Sequence, residues 1–313
     1  MKGIRKTLNA SIDKVVGYYL KNYKKMAFIP LAFIIFFAGS IAYHYFTSGG
    51  QLVNEDISLA GGISLSINTN QSVSPSFITS NLSSALGSPV SVAVLHSPLS
   101  NAITGYSITA GKNINATQLT DAAETLFGIK LTSANSNVDF VSAEIAQGAI
   151  YDSLILLGMA FVLVAAVSLF YFRNYSQALS NVISIVSDVI NVVGVLDLLG
   201  ISFSTASIAG ILMIMGYSAD RNIILATNIL KRGEASMKYR LIHTIKTSLT
   251  MDAAALITFI VLFFGTSNAI IQNIAVILIF GVLFDDFTVW ILNGSIQLAG
   301  MNYKETAGES KAV

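Results

Sequence analysis

Asp220, Arg221 and Asn222 stand in a row inside an otherwise apolar stretch running from Ser204 to Ile229. A span that stopped at Ala219 would be about 24 Å long, short of the roughly 30 Å of hydrocarbon in a bilayer. The three polar residues therefore lie at membrane depth. An ionised side chain there costs several kcal/mol unless paired or wetted, which makes Asp220 and Arg221 functional candidates by default. The competing reading is an Asp220–Arg221 pair that only locks two helices. Neighbouring residues point about 100° apart on a helix and pair poorly, which weighs against it.

Further carboxylates fall in neighbouring apolar stretches. Counting residues at 1.5 Å each puts Asp188 and Asp220 at matching depths of about 15 Å, and Asp252 and Asp285 about 8 and 10 Å from the cytoplasmic ends of their spans. Arg221 is expected to neutralise one of them. Asp286 should point away from Asp285, and Asp252 and Asp286 are near enough to the interface to reach water. Asp197, near an outer span end, reads as interfacial. A buried carboxylate beside a cation changes charge by binding a proton, and a membrane potential acts on that charge. The chemistry expected of Asp220, Arg221, Asp188, Asp285 and Asp252 is thus ion-coupled movement. The three histidines, His44, His96 and His243, read as surface residues, and with no cysteine in the chain a metal centre is not expected. No phosphate-binding glycine loop is present, so neither ATP nor another cofactor is expected.

The elements that must hold these residues are membrane helices. Of the 313 residues, 53% are hydrophobic and 11% charged, with mean hydropathy +0.67. Soluble domains carry roughly 25% charged residues, so a water-soluble enzyme is excluded, and a net charge of +1 offers no field for nucleic acid. Apolar runs at 26–46, 150–172, 178–199, 204–229, 247–264 and 268–292 predict six transmembrane helices. The first lacks a clear cleavage site and reads as a retained anchor. Lysine and arginine cluster before the first span, at Arg173, at Lys231 to Lys246 and in the tail, which places both termini in the cytoplasm. The segment from Ile4 to Lys25 mixes basic and apolar residues and reads either as an interfacial helix on an anionic leaflet or as a solvated flank.

The organisation predicted is a cytoplasmic segment 1–25, a first helix 26–46, an external domain 47–149, a five-helix bundle 150–292 and a cytoplasmic tail 293–313. Within the external stretch Ile63, Leu65 and Ile67 alternate with polar residues, the mark of a half-buried strand. Strands are expected at Gly62 to Asn68, Val90 to Leu95, Thr104 to Thr109 and Val138 to Ala143, with helices at Ser76 to Leu86 and Ala116 to Phe127. That order suits a ferredoxin-like α+β domain. Asn70, Asn81 and Asn115 stand in glycosylation sequons, which also arise by chance in a stretch so rich in Ser and Asn.

Three stretches carry a resemblance: Asp56-Ile-Ser-Leu-Ala-Gly-Gly62, Ser207-Ile-Ala-Gly-Ile-Leu-Met-Ile-Met-Gly-Tyr-Ser-Ala-Asp220 and Lys246-Thr-Ser-Leu-Thr-Met251. Together they resemble the SecF subunit of the protein-export complex SecDF, a branch of the RND superfamily, and its archaeal form most of all. The resemblance implies a partner SecD-like subunit, the SecY channel complex, translocating unfolded polypeptides as cargo, and no enzymatic activity. It also implies that a fourth-span aspartate, here Asp220, takes part in proton-coupled movement of the outer domain. Bacterial SecF has Asn-Asp where Asp220-Arg221 stands and Arg where His243 stands, so Arg221 supplies a cation from a new position or the partner supplies it. The stretch Phe140 to Ala143 lacks the Val-Gly-Pro of bacterial relatives.

Two other classes compete. A small RND-type lipid or solute exporter shares the topology, and a copurifying SecD-like chain separates it from the first. An intramembrane aspartyl protease, suggested by Tyr151-Asp152 and Gly216 to Asp220, fails because Asp152 sits at a span mouth and no glycine immediately precedes Asp220.

Overall fold

The chain is described by a computed structural model over residues 2–96, 102–111, 114–230, 236–266 and 269–301. The loop around Gly233 and the tail from 302 lie outside these residues. The basic N-terminal segment is a helix, α1 (Lys2–Met26), with a non-helical break at Asn22. Its side chains Val16, Tyr19, Leu20 and Tyr23 recur at helical spacing and pack on Leu225, Ile229, Met237 and Leu298. From Ile12 to Met26 one side of the segment read as an interfacial or solvated flank packs on protein, while Val15 and Tyr18 stay exposed.

After α2 (Phe28–Thr47) and the single turn α3 (Ile57–Ala60) comes a small α/β unit: β1 (Gly62–Asn68), α4 (Pro75–Leu86), β2 (Val90–His96), β3 (Ile103–Ala110), α5 (Ala116–Phe127) and β4 (Ser136–Val141). The strands are antiparallel in the order β2-β3-β1-β4. Ile63, Leu65, Ile67, Tyr106 and Ile108 turn one sheet face toward Ile78 and Leu82 of α4 and Leu119, Ala123 and Phe127 of α5, which closes a two-layer core. Gly105 sits where any Cβ would collide with the Ile67 carbonyl, so only glycine fits the β1–β3 pairing. The last strand ends at Val141, short of the expected Ala143, because Ser142 leaves the ladder to cap the next helix, accepting a hydrogen bond from the Ile145 amide at 3.3 Å.

That helix, α6 (Ala143–Phe172), is followed by α7 (Tyr175–Leu198), α8 (Thr205–Leu230), α9 (Met237–Gly265) and α10 (Ala269–Phe287). A π-helical turn (Thr288–Asn293) joins α10 to α11 (Gly294–Gly300). Six helical stretches are long and apolar enough to cross a membrane: Phe28–Thr47, Glu144–Phe172, Tyr175–Leu198, Thr205–Leu230, Met237–Gly265 and Ile270–Gly300. Three of these outrun their apolar runs, the second starting at Glu144 because Ser142 caps its helix. The fifth begins at Met237 because Ser236 caps it, donated to by the Tyr239 amide at 3.2 Å, and the basic residues up to Lys246 ride on the same helix. The sixth runs past Leu292 through buried Asn293, Ser295 and Gln297.

Helices α7, α8 and α10 form the centre, around Ile185, Val192, Ile211, Ile214, Met215 and Ile277. Glycines set their separations. Gly210 lies under Ile277, and a Cβ on Gly194 would stand 2.5 Å from the Cβ of Phe37, so α2 seats directly on α7. The segment before β1 is pinned to the α7–α8 turn: the Asp56 amide donates to the Phe203 carbonyl at 2.8 Å and the Phe203 amide to the Asn54 carbonyl at 2.6 Å.

Candidate functional site

A helix of 26 residues, α8, delivers Arg221 to the middle of the bundle, where it is 3% exposed. Its guanidinium is a fork with five donors, and the neighbouring helices fill it. Nη1 donates to Asp285 Oδ2 and Nη2 to Asp286 Oδ1, both at 2.5 Å. Asp252 Oδ2 lies 3.1 Å from Nη2, and Nε donates to Ser248 Oγ at 3.1 Å. Tyr217, one turn earlier, packs its ring 5.7 Å from the guanidinium carbon and donates its hydroxyl to Asp252 Oδ1 at 2.5 Å. One cation therefore ties α8 to both α9 and α10.

A second layer begins at Asp188 of α7, which is fully buried. Ser218 donates to its Oδ2 at 2.7 Å and Thr288 donates to its Oδ1. From Ser218 the hydrogen bonds continue through Asn222 to Asn293, and Asn293 reaches both Asn181 at 3.1 Å and Gln297 at 2.9 Å. The π-helical turn makes this possible. On a regular helix Asn293 would be rotated about 80° from Asp285, and one extra residue in a turn takes back about 100°. Asp285, Thr288 and Asn293 thereby share one inward face.

Asp188, Asp252 and Asp285 thus join Arg221 in one buried assembly, and Asp220 does not. Its side chain is exposed and has no hydrogen-bond or ion-pair partner among the described residues. The 100° between neighbours that argues against an Asp220–Arg221 pair turns Arg221 inward and Asp220 outward. Asp220 belongs to an exposed stripe on α8 with Ala209, Met213, Gly216 and Ile224. The expectation that Asp220 faces the bundle interior is therefore corrected.

Other expectations also change. Arg221 contacts not one carboxylate but three. Asp286, expected to point away, is one of them. Asp252, read as near enough to the interface to reach water, is closed off within the bundle at 3% side-chain exposure, whereas Asp286 keeps 23%. His44 and Asp197, read as surface and interfacial residues, form a pair at 2.8 Å between α2 and α7, with Ser40 3.3 Å from the same aspartate. Asp152 is exposed, far in character from a catalytic dyad. The signal missed on α8 was polar spacing: Ser218, Arg221 and Asn222 stand at i, i+3 and i+4, the repeat of one buried face.

The family of protein export membrane proteins SecD/SecF, C-terminal, matches residues 122–302, more than half of the chain. This chain belongs to the SecD/SecF family. Among relatives, the protein-export membrane protein SecF of Methanothermobacter thermautotrophicus is 30% identical over 90% of this chain and 92% of its own length. SecF of Methanocaldococcus jannaschii is 29% identical over 88% of this chain and 95% of its own. The crystal structure of SecDF from Thermus thermophilus superposes with a TM-score of 0.69, covering 91% of this chain and 38% of that one at 19% identity, a likeness of fold. With six membrane-length helices and SecF relatives along nearly its whole length, the chain is a multi-pass SecF-type protein-export membrane protein.

Proposed function

We propose that this SecF-type chain pairs with a SecD-like subunit, supports movement of unfolded polypeptides through the SecY channel, and draws on the proton gradient through the Arg221 assembly. The observation that carries this reading is the two-sidedness of α8. One face holds Arg221 among carboxylates that can change charge, and the opposite face carries Asp220 on an exposed stripe containing Ala209 and Gly216. A carboxylate facing lipid costs several kcal/mol, and small residues let a second helix approach closely, so the stripe fits a membrane partner that brings a donor to Asp220. The ferredoxin-like domain then stands outside the cell membrane, where emerging chains are handled, and both termini are cytoplasmic.

Purification from native membranes in mild detergent is expected to bring down a SecD-like chain in stoichiometric amount. Recovery of the intact protein with no such chain would overturn the reading and favour an RND-type exporter. The placement has its own check. The chain has no cysteine, so Ser80→Cys on α4 should react with a membrane-impermeant thiol reagent in intact cells while Lys24→Cys on α1 should not. The reverse pattern would invert the topology.

A further inference from the structure

The N-terminal helix α1 is a bar laid across one end of the bundle. Its inner side, with Val16, Leu20 and Tyr23, packs with Ile229 near the end of α8, Met237 at the start of α9 and Leu298 of α11. The opposite side is open. Lys14, Tyr18 and Lys21 stand on it at i, i+4 and i+7, one face of a helix, and all three are exposed. Val15 lies beside Tyr18, and the two are 62% and 64% exposed. Lys25, also exposed, continues the row beyond the break at Asn22.

Charge and level together say what meets this face. Asp13, the single acidic residue of α1, is already bonded to Lys238 of α9 at 2.9 Å. Among the described residues Lys14, Lys21 and Lys25 have no carboxylate partner, so the face carries uncompensated positive charge. One residue, Ala27, separates α1 from α2, a membrane-length helix that opens on exposed Phe28 and Ile29. Lys25 therefore sits within a turn of the hydrocarbon, at headgroup level. In water the open Val15 and Tyr18 gain nothing. At a headgroup boundary the tyrosine ring has an apolar side for the chains and a polar tip for the surface, and lysine stems extend their ammonium groups to phosphate.

We propose that the outer face of α1, formed by Lys14, Val15, Tyr18, Lys21 and Lys25, is a docking surface for anionic phospholipid. The lysines take the headgroup phosphates while Val15 and Tyr18 enter the upper acyl region. Because the same helix bears on α8, α9 and α11, lipid held there fastens these three helix ends to the leaflet. The surface depends on the membrane helices and not on the export function proposed above.

Tryptophan quenching in vesicles tests the surface. Trp290→Phe with Tyr18→Trp leaves the reporter on this face as the single tryptophan. The full chain, with any partner that accompanies it, is placed in phosphatidylcholine vesicles containing phosphatidylglycerol, with an equal content of brominated chains on one lipid or the other. Each lysine near an anionic surface is worth about fivefold in partition before screening, so bromine on phosphatidylglycerol should quench roughly threefold more strongly or better. Replacing Lys14, Lys21 and Lys25 together by glutamine should equalise the two lipids, as should about 1 M salt, where screening is nearly complete. Lys130→Gln on the small domain should leave the preference intact. Equal quenching by the two lipids with the lysines present, no quenching by either, or quenching that emerges only after a copurified protein is stripped away would each overturn the proposal. So would a preference abolished by millimolar glycerol phosphate, the mark of a site for a soluble anion. Native mass spectrometry of the chain with Tyr18 in place checks the same point without the reporter: phosphatidylglycerol should be retained over phosphatidylcholine and the triple glutamine variant should lose that preference, whereas equal retention overturns it.

Discussion

Replacing Arg221 by glutamine is expected to lower the melting temperature of the purified protein by roughly 10 °C, the equivalent of about 3–5 kcal/mol, and to abolish export. Removing one partner of a buried ion pair is costly because the other charge stays behind unpaired, and here three carboxylates lose their common cation at once. Arg221→Lys should fall between, since a point ammonium cannot reproduce a planar fork that spans α9 and α10. Combining Arg221→Gln with Asp285→Asn should recover part of the loss, because the two residues touch and their effects are not additive. Melting can be followed in detergent through Trp290, the single tryptophan, which is partly buried beside the N-terminal helix. An Arg221→Gln protein that melts where the unaltered one does would show that the assembly is already discharged and that Arg221 is not its keystone.

The second large effect has opposite signs in two measurements. Asp220→Leu should leave the chain by itself unchanged or more stable, as an exposed carboxylate at membrane depth costs about 2.5–3.5 kcal/mol relative to none. The same change should reduce recovery of the SecD-like partner at least tenfold, a loss of about 1.4 kcal/mol or more in association. Asp220→Asn, which keeps a hydrogen-bonding group, should lose less. A buried structural aspartate would behave the other way, with loss of stability in the chain alone. Undiminished recovery of the partner with Asp220→Leu would remove α8 from the interface.

The small domain was the more legible part of the chain, because water on one side and a core on the other write period-two alternation into Ile63, Leu65 and Ile67. Its helix from Ala116 to Phe127 could be bounded from Asn115 and Gly128, which cap its two ends. The membrane helices were legible as lengths and not as rotations. Lipid is as apolar as a protein core, so the sequence around Asp220 and Arg221 does not say which of them turns inward; only the polar neighbours Ser218 and Asn222 side with Arg221. The π-helical turn that aligns Thr288 and Asn293 leaves no mark in apolar periodicity, and the last span seemed to end at Leu292 because polar Asn293, Ser295 and Gln297 follow it. Asp286 was misplaced for a simpler reason: a guanidinium fork is wide enough to reach two consecutive residues, although their side chains diverge.

The short pairing of Asn54 and Asp56 with Phe203 ties the stem of the small domain to the end of α8, which begins at Thr205 and whose first amide bonds the Ser58 hydroxyl at 3.1 Å. A helix transmits displacement along its axis because its own hydrogen bonds resist stretching, so the domain stem at the start of α8 and Arg221, 16 residues further along, share one rod. Linkage makes such a rod work in both directions. If proton occupancy near Arg221 alters how firmly the domain grips a chain, then a gripped chain alters proton occupancy by the same factor. Cargo waiting outside would in that way set the affinity of the bundle for its ion, and an idle domain would leave the gradient undrained.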